Sequence, residues 1–128
     1  MEEELLAYLL ATSTVTDQVG TRINWSRRPQ QDTTFPACVM QRVAGARQYH
    51  MGAADGLVDA RVQFDVWGET IAATKVAARA IIAALNGYTG TLLKGCFIET
   101  ERDSIDETND GNVRLYRTTF DVAIWHTE

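Results

Sequence analysis

Acidic residues that could work as catalytic pairs are concentrated near the end of this 128-residue chain. Glu99, Glu101 and Asp103 occupy alternate positions, so a β-strand would place all three on one face and Arg102 on the other. Paired carboxylates perform acid–base chemistry where an apolar pocket drives their pKa values apart. The neighbouring residues indicate no such pocket. We therefore interpret this pattern as the exposed edge of a sheet.

Other catalytic and metal-binding patterns are incomplete. The turn from Asp106 to Gly111 has the composition of a calcium loop, but its twelfth position is Arg117 instead of a bidentate glutamate. His50 and His126 lack a second ligand at metal-binding spacing, and no nucleophile–base motif accompanies them. The phosphate loop, the dinucleotide-binding glycines and the nucleophile elbow are absent from the sequence. The sequence predicts a protein that is not an enzyme and uses no cofactor or metal.

Composition and charge narrow the class of protein further. The net charge is −5, and most of the excess acid lies in residues 51–128, which argues against tight binding along a nucleic-acid backbone. No apolar run approaches the ~20 residues of a membrane span, and the start Met1-Glu2-Glu3-Glu4 lacks the basic character of a secretory signal. We expect an intracellular, soluble protein. Cys38 and Cys96 are isolated in the sequence and are expected to be buried free thiols.

Two helices are predicted from residue periodicity and end signals. Residues 3–13 repeat leucine at helical spacing behind an acidic first turn, and Val15 and Val19 allow one more turn before Gly20. Residues 70–86 form an alanine-rich helix that Thr70 can cap and Gly87 can end. The apolar stripe of this second helix is expected to comprise Ala73, Val76, Ala77, Ala80, Ile81, Ala84 and Leu85.

Four strands are predicted at residues 37–44, 57–68, 90–102 and 112–126, with a brief fifth strand possible at 22–25. Alternation in the second strand points Val62, Phe64 and Val66 one way and Arg61 and Asp65 the other. Residues 45–56 carry three glycines and 103–111 are acidic, so both segments are interpreted as turns. The order predicts one α+β domain over residues 1–128, a four-stranded or five-stranded antiparallel sheet with two helices on one face.

Two strands share a design that suggests a surface for association. Residues 61–67 read RVQFDVW and residues 118–125 read TTFDVAIW, so each strand carries an aspartate and ends on a tryptophan. Alternation places both tryptophans among charged residues, where they either fold back over the core or are covered by another subunit. Aromatic and arginine side chains are enriched at such contacts. The subunit-interface candidates are Arg61, Asp65, Trp67, Arg117, Asp121 and Trp125.

The chain resembles the small tail-completion proteins of long-tailed bacteriophages and prophages, the tail terminator or head–tail joining group. The resemblance rests on several motifs in order rather than on one: Val19-Gly20-Thr21-Arg22-Ile23, Arg28-Pro29-Gln30, Phe35-Pro36-Ala37-Cys38-Val39, Gln41-Arg42-Val43-Ala44-Gly45, residues 61–67, the alanine-rich helix, Arg102-Asp103 and residues 117–125.

The resemblance implies a structural role in the virion. Members form rings, usually hexameric, on the head-proximal end of the tail tube, where they contact tube protein and the head connector or adaptor. DNA passes through the ring without specific binding, and the acidity of this chain agrees with such a lumen. No membrane is involved, and assembly takes place in the host cytoplasm. Partner-binding loops are expected at 26–34, 46–56 and 104–111, with candidate residues Arg27, Arg28, Arg47, Tyr49, His50, Asp106 and Glu107.

Two alternatives stay open at this point. A head-side adaptor or closure protein would form a ring at the same junction. A small-molecule-binding or enzymatic α+β dimer would belong to a different class, and a deep pocket with convergent polar groups would favour it. A flat sheet face with projecting loops would favour the ring.

Overall fold

The computed structural model describes residues 2–26, 36–50, 53–90, 93–107 and 114–127. Within these residues the helices and strands follow one another in the order α1 Glu2–Ala11, α2 Ser13–Val19, β1 Ile23–Trp25, β2 Ala37–His50, β3 Ala53–Gly68, α3 Ile71–Leu85, β4 Leu93–Glu107 and β5 Arg114–Thr127.

All described strands belong to one sheet in the order β1-β2-β3-β5-β4. Every neighbouring pair is antiparallel except β1 and β2, which run parallel over three residues from Ile23↔Cys38 to Trp25↔Met40. The chain is therefore an α+β protein, as the sequence predicts, with a sheet that is mixed rather than wholly antiparallel. The possible strand at 22–25 is confirmed as β1.

One face of this sheet carries the hydrophobic core. Phe64 and Phe120 are register partners, and their rings stack with centroids 4.9 Å apart. Around them lie apolar residues of every strand and helix: Leu5, Leu9, Val15, Val19, Ile23, Cys38, Met40, Val62, Val66, Ala77, Ala78, Ile81, Leu85, Leu93, Cys96, Val122 and Ile124. Because residues from α1, α2 and α3 all join this single cluster, the three helices cover the same face.

The helix α3 is positioned by its cap and by a close approach to β3. The Thr70 side chain accepts a hydrogen bond from the Ala73 N–H at 3.1 Å, which satisfies one of the unpaired donors at the start of the helix. A Cβ at Gly68 would overlap Thr74 Oγ1, so glycine lets β3 turn tightly into the helix. The N-terminus of α3 is thereby fixed against the end of β3.

Several sequence expectations about the helices are corrected. The leucine-rich start forms two helices separated at Thr12, so the described chain has three helices instead of two. The α3 stripe is also rotated from the expected one: Val76 is half exposed, whereas Thr74 and Ala78 are buried. Thr74 can be buried because its hydroxyl donates to the Thr70 carbonyl at 2.8 Å, so the sheet-facing side of α3 need not be purely apolar.

The expected turns at 45–56 and 103–111 are wrong for residues 45–50, 53–56 and 103–107, whereas residues 51–52 and 108–111 lie outside the described residues. Strand β2 continues to His50 and β3 begins at Ala53, and β4 continues to Glu107. These residues lengthen the β2–β3 pair and the β4–β5 pair beyond the central sheet. We call them the two hairpin extensions. Among the described residues, β3 has no partner on its β5 side before Leu57, and β5 pairs with β4 alone at Leu115 and Arg114. Two-stranded pairing satisfies the backbone groups of these segments even where side chains are small or charged.

Candidate functional site

The second face of the sheet is bare in the described part of the chain, because no helix packs on it. We call this surface the bare face and define it by the outward residues of the two central strands, Asp59, Arg61, Gln63, Asp65 and Trp67 on β3 and Arg117, Thr119, Asp121, Ala123 and Trp125 on β5. All six residues predicted as a subunit interface lie on it. The register pairs Trp67 with Arg117, Asp65 with Thr119 and Arg61 with Ala123.

The two aspartates of the repeated Phe-Asp-Val motif lie at the centre of the bare face. Asp65 is only 8% exposed, and its carboxylate accepts hydrogen bonds from the Thr119 hydroxyl at 2.6 Å and the Gln63 amide at 3.3 Å. Asp121 accepts a hydrogen bond from the Thr100 hydroxyl at 3.0 Å. Its other oxygen, Oδ1, is buried and accepts no hydrogen bond within the described residues. The motif thus places two phenylalanines in the core and two carboxylates on the opposite side.

The edge strand β4 supplies charged partners to this surface. Arg61 Nη2 lies 2.6 Å from Glu99 Oε2, and Arg117 Nε donates to Ser104 Oγ at 3.1 Å. A register shift between Ile98 and Thr100 breaks the alternation of β4 at this point. As a result Glu99 reaches the bare face while Glu101 and Asp103 lie toward α3.

This β-bulge overturns the expectation that the three acids share one face. Lys75 Nζ of α3 lies 2.5 Å from Asp103 Oδ2 and 3.5 Å from Glu101 Oε1, and the Thr118 hydroxyl donates to Asp103 Oδ1 at 3.0 Å. The hydrogen bond from Lys75 lowers the pKa of Asp103, and the same bond raises the pKa of Lys75. The two acids therefore tie α3 to the edge strand and are not an acid–base pair.

Both interface tryptophans remain on the bare face and are half-buried. Neither joins the residues that pack against the core, whereas Trp25 does, and the indole N–H of Trp25 donates to the Glu2 carbonyl at 3.2 Å. The alternative that Trp67 and Trp125 fold back over the core is therefore wrong. Each ring lies beside charged neighbours and presents part of its surface outward.

The described residues give little support for catalysis. No group of three or more histidine, cysteine, aspartate or glutamate side chains is placed to hold a metal ion there. Cys38 and Cys96 are buried and free, and burial raises the pKa of both thiols, that of Cys96 to about 11. Neither thiol is an activated nucleophile at neutral pH. What the bare face offers is a surface of half-buried and charged side chains for contact.

The structure describes some of the residues predicted to lie in partner-binding loops and places them in strands. Arg27 and Arg28 lie outside the described residues. Arg47, Tyr49 and His50 lie in the β2–β3 hairpin extension, and Asp106 and Glu107 lie in the β4–β5 extension. The structure thus assigns the described members of this set to strands instead of loops. The two extensions lie at opposite ends of the sheet, because the first includes the start of β3 and the second includes the start of β5, which runs antiparallel to β3.

Several contributors to the site carry no clear sequence signal. Glu99, Thr100 and Ser104 complete the bare face from β4, but the bulge that orients them depends on pairing with β5. Phe97 is 53% exposed, and its ring lies so close to Gly95 that a Cβ there would be 2.9 Å from the ring edge. The glycine two residues before Phe97, in the sequence Gly95-Cys96-Phe97, was the available signal for the close approach of this ring to the strand.

Among the helices of the described residues, none has the length and apolarity needed to cross a bilayer.

Comparison with known proteins gives a match to one family and matches to solved structures. The sequence profile of the family described as "Tail completion protein gp17" matches residues 3–127. No curated protein sequence gives a match. The fold is similar to that of a chain in the structure titled "Virion of native gene transfer agent (GTA) particle", with a TM-score of 0.68 and 16% identity, covering 94% of this chain and 91% of that chain. At this identity the structural likeness supports the fold alone.

Proposed function

The chain belongs to the tail completion protein gp17 family and is therefore a structural protein of bacteriophage-type virions, and from this premise we propose that it forms a closed ring that caps the tail tube and joins it to the head. The ring contains six subunits in this proposal. The role requires contact surfaces instead of a catalytic centre, and the described residues offer surfaces of that kind. The gene transfer agent chain, which comes from a phage-like particle, is consistent with it.

The observation that carries the proposal is the bare face. A sheet that is covered on one side and carries two half-buried tryptophans on the other side resembles one half of a subunit contact. We assign the contact to Arg61, Asp65, Trp67, Arg117, Asp121 and Trp125. In this proposal the bare face of one subunit packs on the helix-covered side of the next, so each contact joins unlike surfaces, and such contacts close into rings when the rotation allows.

The two hairpin extensions differ from each other, and in this proposal each binds a different partner along the ring axis. The β2–β3 extension carries Arg47, Tyr49 and His50, and the β4–β5 extension carries Asp106 and Glu107 at the opposite end of the sheet. With the sheets aligned along the ring axis, one set of hairpins meets the tube protein and the other meets the head connector or adaptor. Arg27 and Arg28 belong to the same proposed set of partner contacts.

The charge of the chain is consistent with a channel for DNA. The net charge is −5, and an acidic lumen repels phosphates, so DNA passes without being held. In this proposal the protein resides at the head-proximal end of the tail, after assembly in the host cytoplasm.

Measurement of mass and capping tests the proposal directly. Sedimentation equilibrium over a wide concentration range, followed by negative-stain imaging, should detect closed rings of six subunits. Purified tail tubes should acquire the protein at one end and stop elongating. Binding to filled heads but never to tubes would move the protein to the head side of the junction. A protein that stays monomeric at every concentration and binds neither tubes nor heads would contradict the proposal.

A further inference from the structure

The helix α3 is apolar on its outer side as well as on the side that faces its own sheet. We call its exposed positions the outer stripe: Ile71, Ala72, Val76, Arg79 and Ala83. Arg79 is the one charged member of this stripe, and Ile71 and Val76 are 58% and 50% exposed. A surface helix normally turns several charged side chains outward, whereas a helix that is apolar all round is a buried one. The outer stripe therefore has the composition of a surface that another protein layer covers.

The other two helices differ from α3 in this respect. The first turn of α1 carries three glutamates, although its last turn exposes Leu10. The exposed residues of α2 are polar, namely Ser13, Thr14 and Asp17. An extended apolar contact on the helix-covered side of the molecule would therefore be made through α3.

Arg79 carries a charge that is not engaged within its own subunit. Its side chain is exposed, and in the described part of the chain it forms no ion pair. It acts on Asp103 electrostatically, but the close partner of Asp103 is Lys75, one helical turn earlier. The guanidinium of Arg79 thus keeps its donors available for an acceptor on another molecule.

The centre of the bare face lacks positive charge. Asp65 is nine-tenths buried, and its hydrogen bonds come from the uncharged side chains of Thr119 and Gln63. No basic side chain of the described residues pairs with it, although a buried carboxylate normally has a cation beside it. Asp121 lies diagonally across from Asp65 on β5. Arg102 lies 3.7 Å from its Oδ2, but its Oδ1 is buried without a donor in the described residues.

The outer stripe and the bare face match in length and in the position of their charges. The helix α3 has 15 residues and is therefore about 22 Å long. Trp125 pairs with Asp59, eight residues before Trp67 on β3, so the two tryptophans lie about 26 Å apart along the strands. Asp121 lies midway between them, and Arg79 lies near the middle of α3. Each surface thus has charge at its centre and apolar side chains toward its ends.

We propose that the outer stripe of α3 is covered by the bare face of the next subunit, with Arg79 bound at Asp121 and Asp65. The inference rests on the proposed ring and specifies its subunit contact. The planar guanidinium can donate to two carboxylates at once, and Asp121, whose side chain is 17% exposed, is the accessible member of the pair. Ala72 and Ala83 are small, so aromatic rings of the facing sheet can pack close to the helix.

Reversal of charge on each half of the contact tests the inference. Arg79→Glu and Asp121→Arg should each weaken self-association at least about 10-fold in analytical ultracentrifugation, because like charges then meet. Mixed in equal amounts, the two variants should assemble again. In an alternating ring the reversed helix of one variant meets the reversed face of the other, and the remaining contacts are native. Asp17→Arg, a charge reversal at an exposed position of α2, is the matched control and should assemble normally.

A variant that leaves the sheet unchanged covers the case in which Asp121→Arg fails to fold. Val76→Glu places an acid in the outer stripe, opposite the carboxylates of the facing sheet, and should also weaken association at least about 10-fold. Leu10→Glu, at an exposed position of α1, is its control and should assemble normally. Circular dichroism should show that Val76→Glu and Arg79→Glu retain the fold.

A crosslinking experiment covers association that is too weak to measure by mass. With a short bismaleimide, the double variant Val76→Cys/Gln63→Cys should give a ladder that ends at the ring, whereas either single variant should stop at dimers. The native thiols are buried and do not compete. Normal assembly of both Arg79→Glu and Val76→Glu, or rings of the double variant without a ladder, would overturn the inference and leave the ring intact. A wild type that never assembles, even on tail tubes, would instead refute the ring itself.

Discussion

Asp103 joins the helix α3 to the edge strand β4 through Lys75 and Thr118. Its pKa is lowered chiefly by the hydrogen bond from Lys75, so the folded state binds this proton less tightly than the unfolded state does. The stabilisation is therefore present above the ordinary aspartate pKa near 4 and is lost as the pH falls through the lower folded-state value. The raised pKa of Lys75 extends the same interaction into alkaline solution.

We predict that Asp103→Asn lowers the free energy of unfolding by about 0.5 kcal/mol at neutral pH, a small value because both side chains are partly exposed. The difference from the wild type should shrink as the pH falls from neutral toward about 2, because protonation of the aspartate removes its charge. Urea denaturation at the two pH values provides the measurement. Asp17→Asn, at an exposed position of α2, serves as the control. An equal loss for Asp103→Asn at both pH values would show that shape, not charge, is responsible.

The three tryptophans are predicted to respond differently to truncation. Trp67→Ala and Trp125→Ala should retain the fold and weaken assembly. The free energy of subunit association should fall by about 2 kcal/mol or more where the indole is a buried anchor of the contact. Trp25→Ala should lower the unfolding free energy, because that ring packs against the core. Circular dichroism reports the fold and light scattering reports assembly. Unfolding of both bare-face variants would assign their rings to the fold, and unchanged assembly would remove them from the interface.

At the scale of strands and helices, the sequence predicted the parts whose signals are local. Alternation in β3 and the cap at Thr70 each act within a few residues, and both predictions are confirmed. The six interface candidates lie on one face because alternation alone fixes which side a strand residue takes.

The missed parts depend on pairing between distant segments. Gly45 and Gly56 resemble parts of a loop in isolation, yet β2 continues through the first and β3 includes the second because each strand satisfies the other. The bulge between Ile98 and Thr100 separates Glu99 from Glu101 only because β5 sets the register. The parallel pairing of β1 with β2 likewise requires the chain to return from a distance. No local pattern carries this information.

The β2–β3 extension provides a prediction at the scale of an element. Deletion of residues 47–54 would leave Ala46 and its register partner Asp59 joined by four residues, a length that hairpin loops accept. The shortened protein should fold with nearly unchanged thermal stability, since the core lies elsewhere. It should no longer cap tail tubes if this hairpin contacts the tube protein. Thermal unfolding and a capping assay test the two parts, and a deletion variant that still caps would exclude the hairpin from tube contact.

At the scale of the whole molecule, the subunit has two unlike faces and two unlike ends. The helix layer and the bare face differ, so a contact that packs one on the other is head-to-tail, as the proposed ring requires. The hairpin extensions at the two ends of the sheet differ in sequence and charge. A ring built from such subunits has two chemically different rims, so it can bind a tube with only one orientation.

The twelve register pairs between β3 and β5, from Leu57↔Thr127 to Gly68↔Tyr116, also have a mechanical consequence. The β2–β3 hairpin points to one end and the β4–β5 hairpin to the other, so tension between the ends must pass through this central pairing. The hydrogen bonds of an antiparallel pair lie perpendicular to the strands. A pull along the strands therefore loads these bonds together in shear, instead of opening them one after another as in a zipper. The topology makes each subunit stiff along the line on which a joint between two large particles would be pulled.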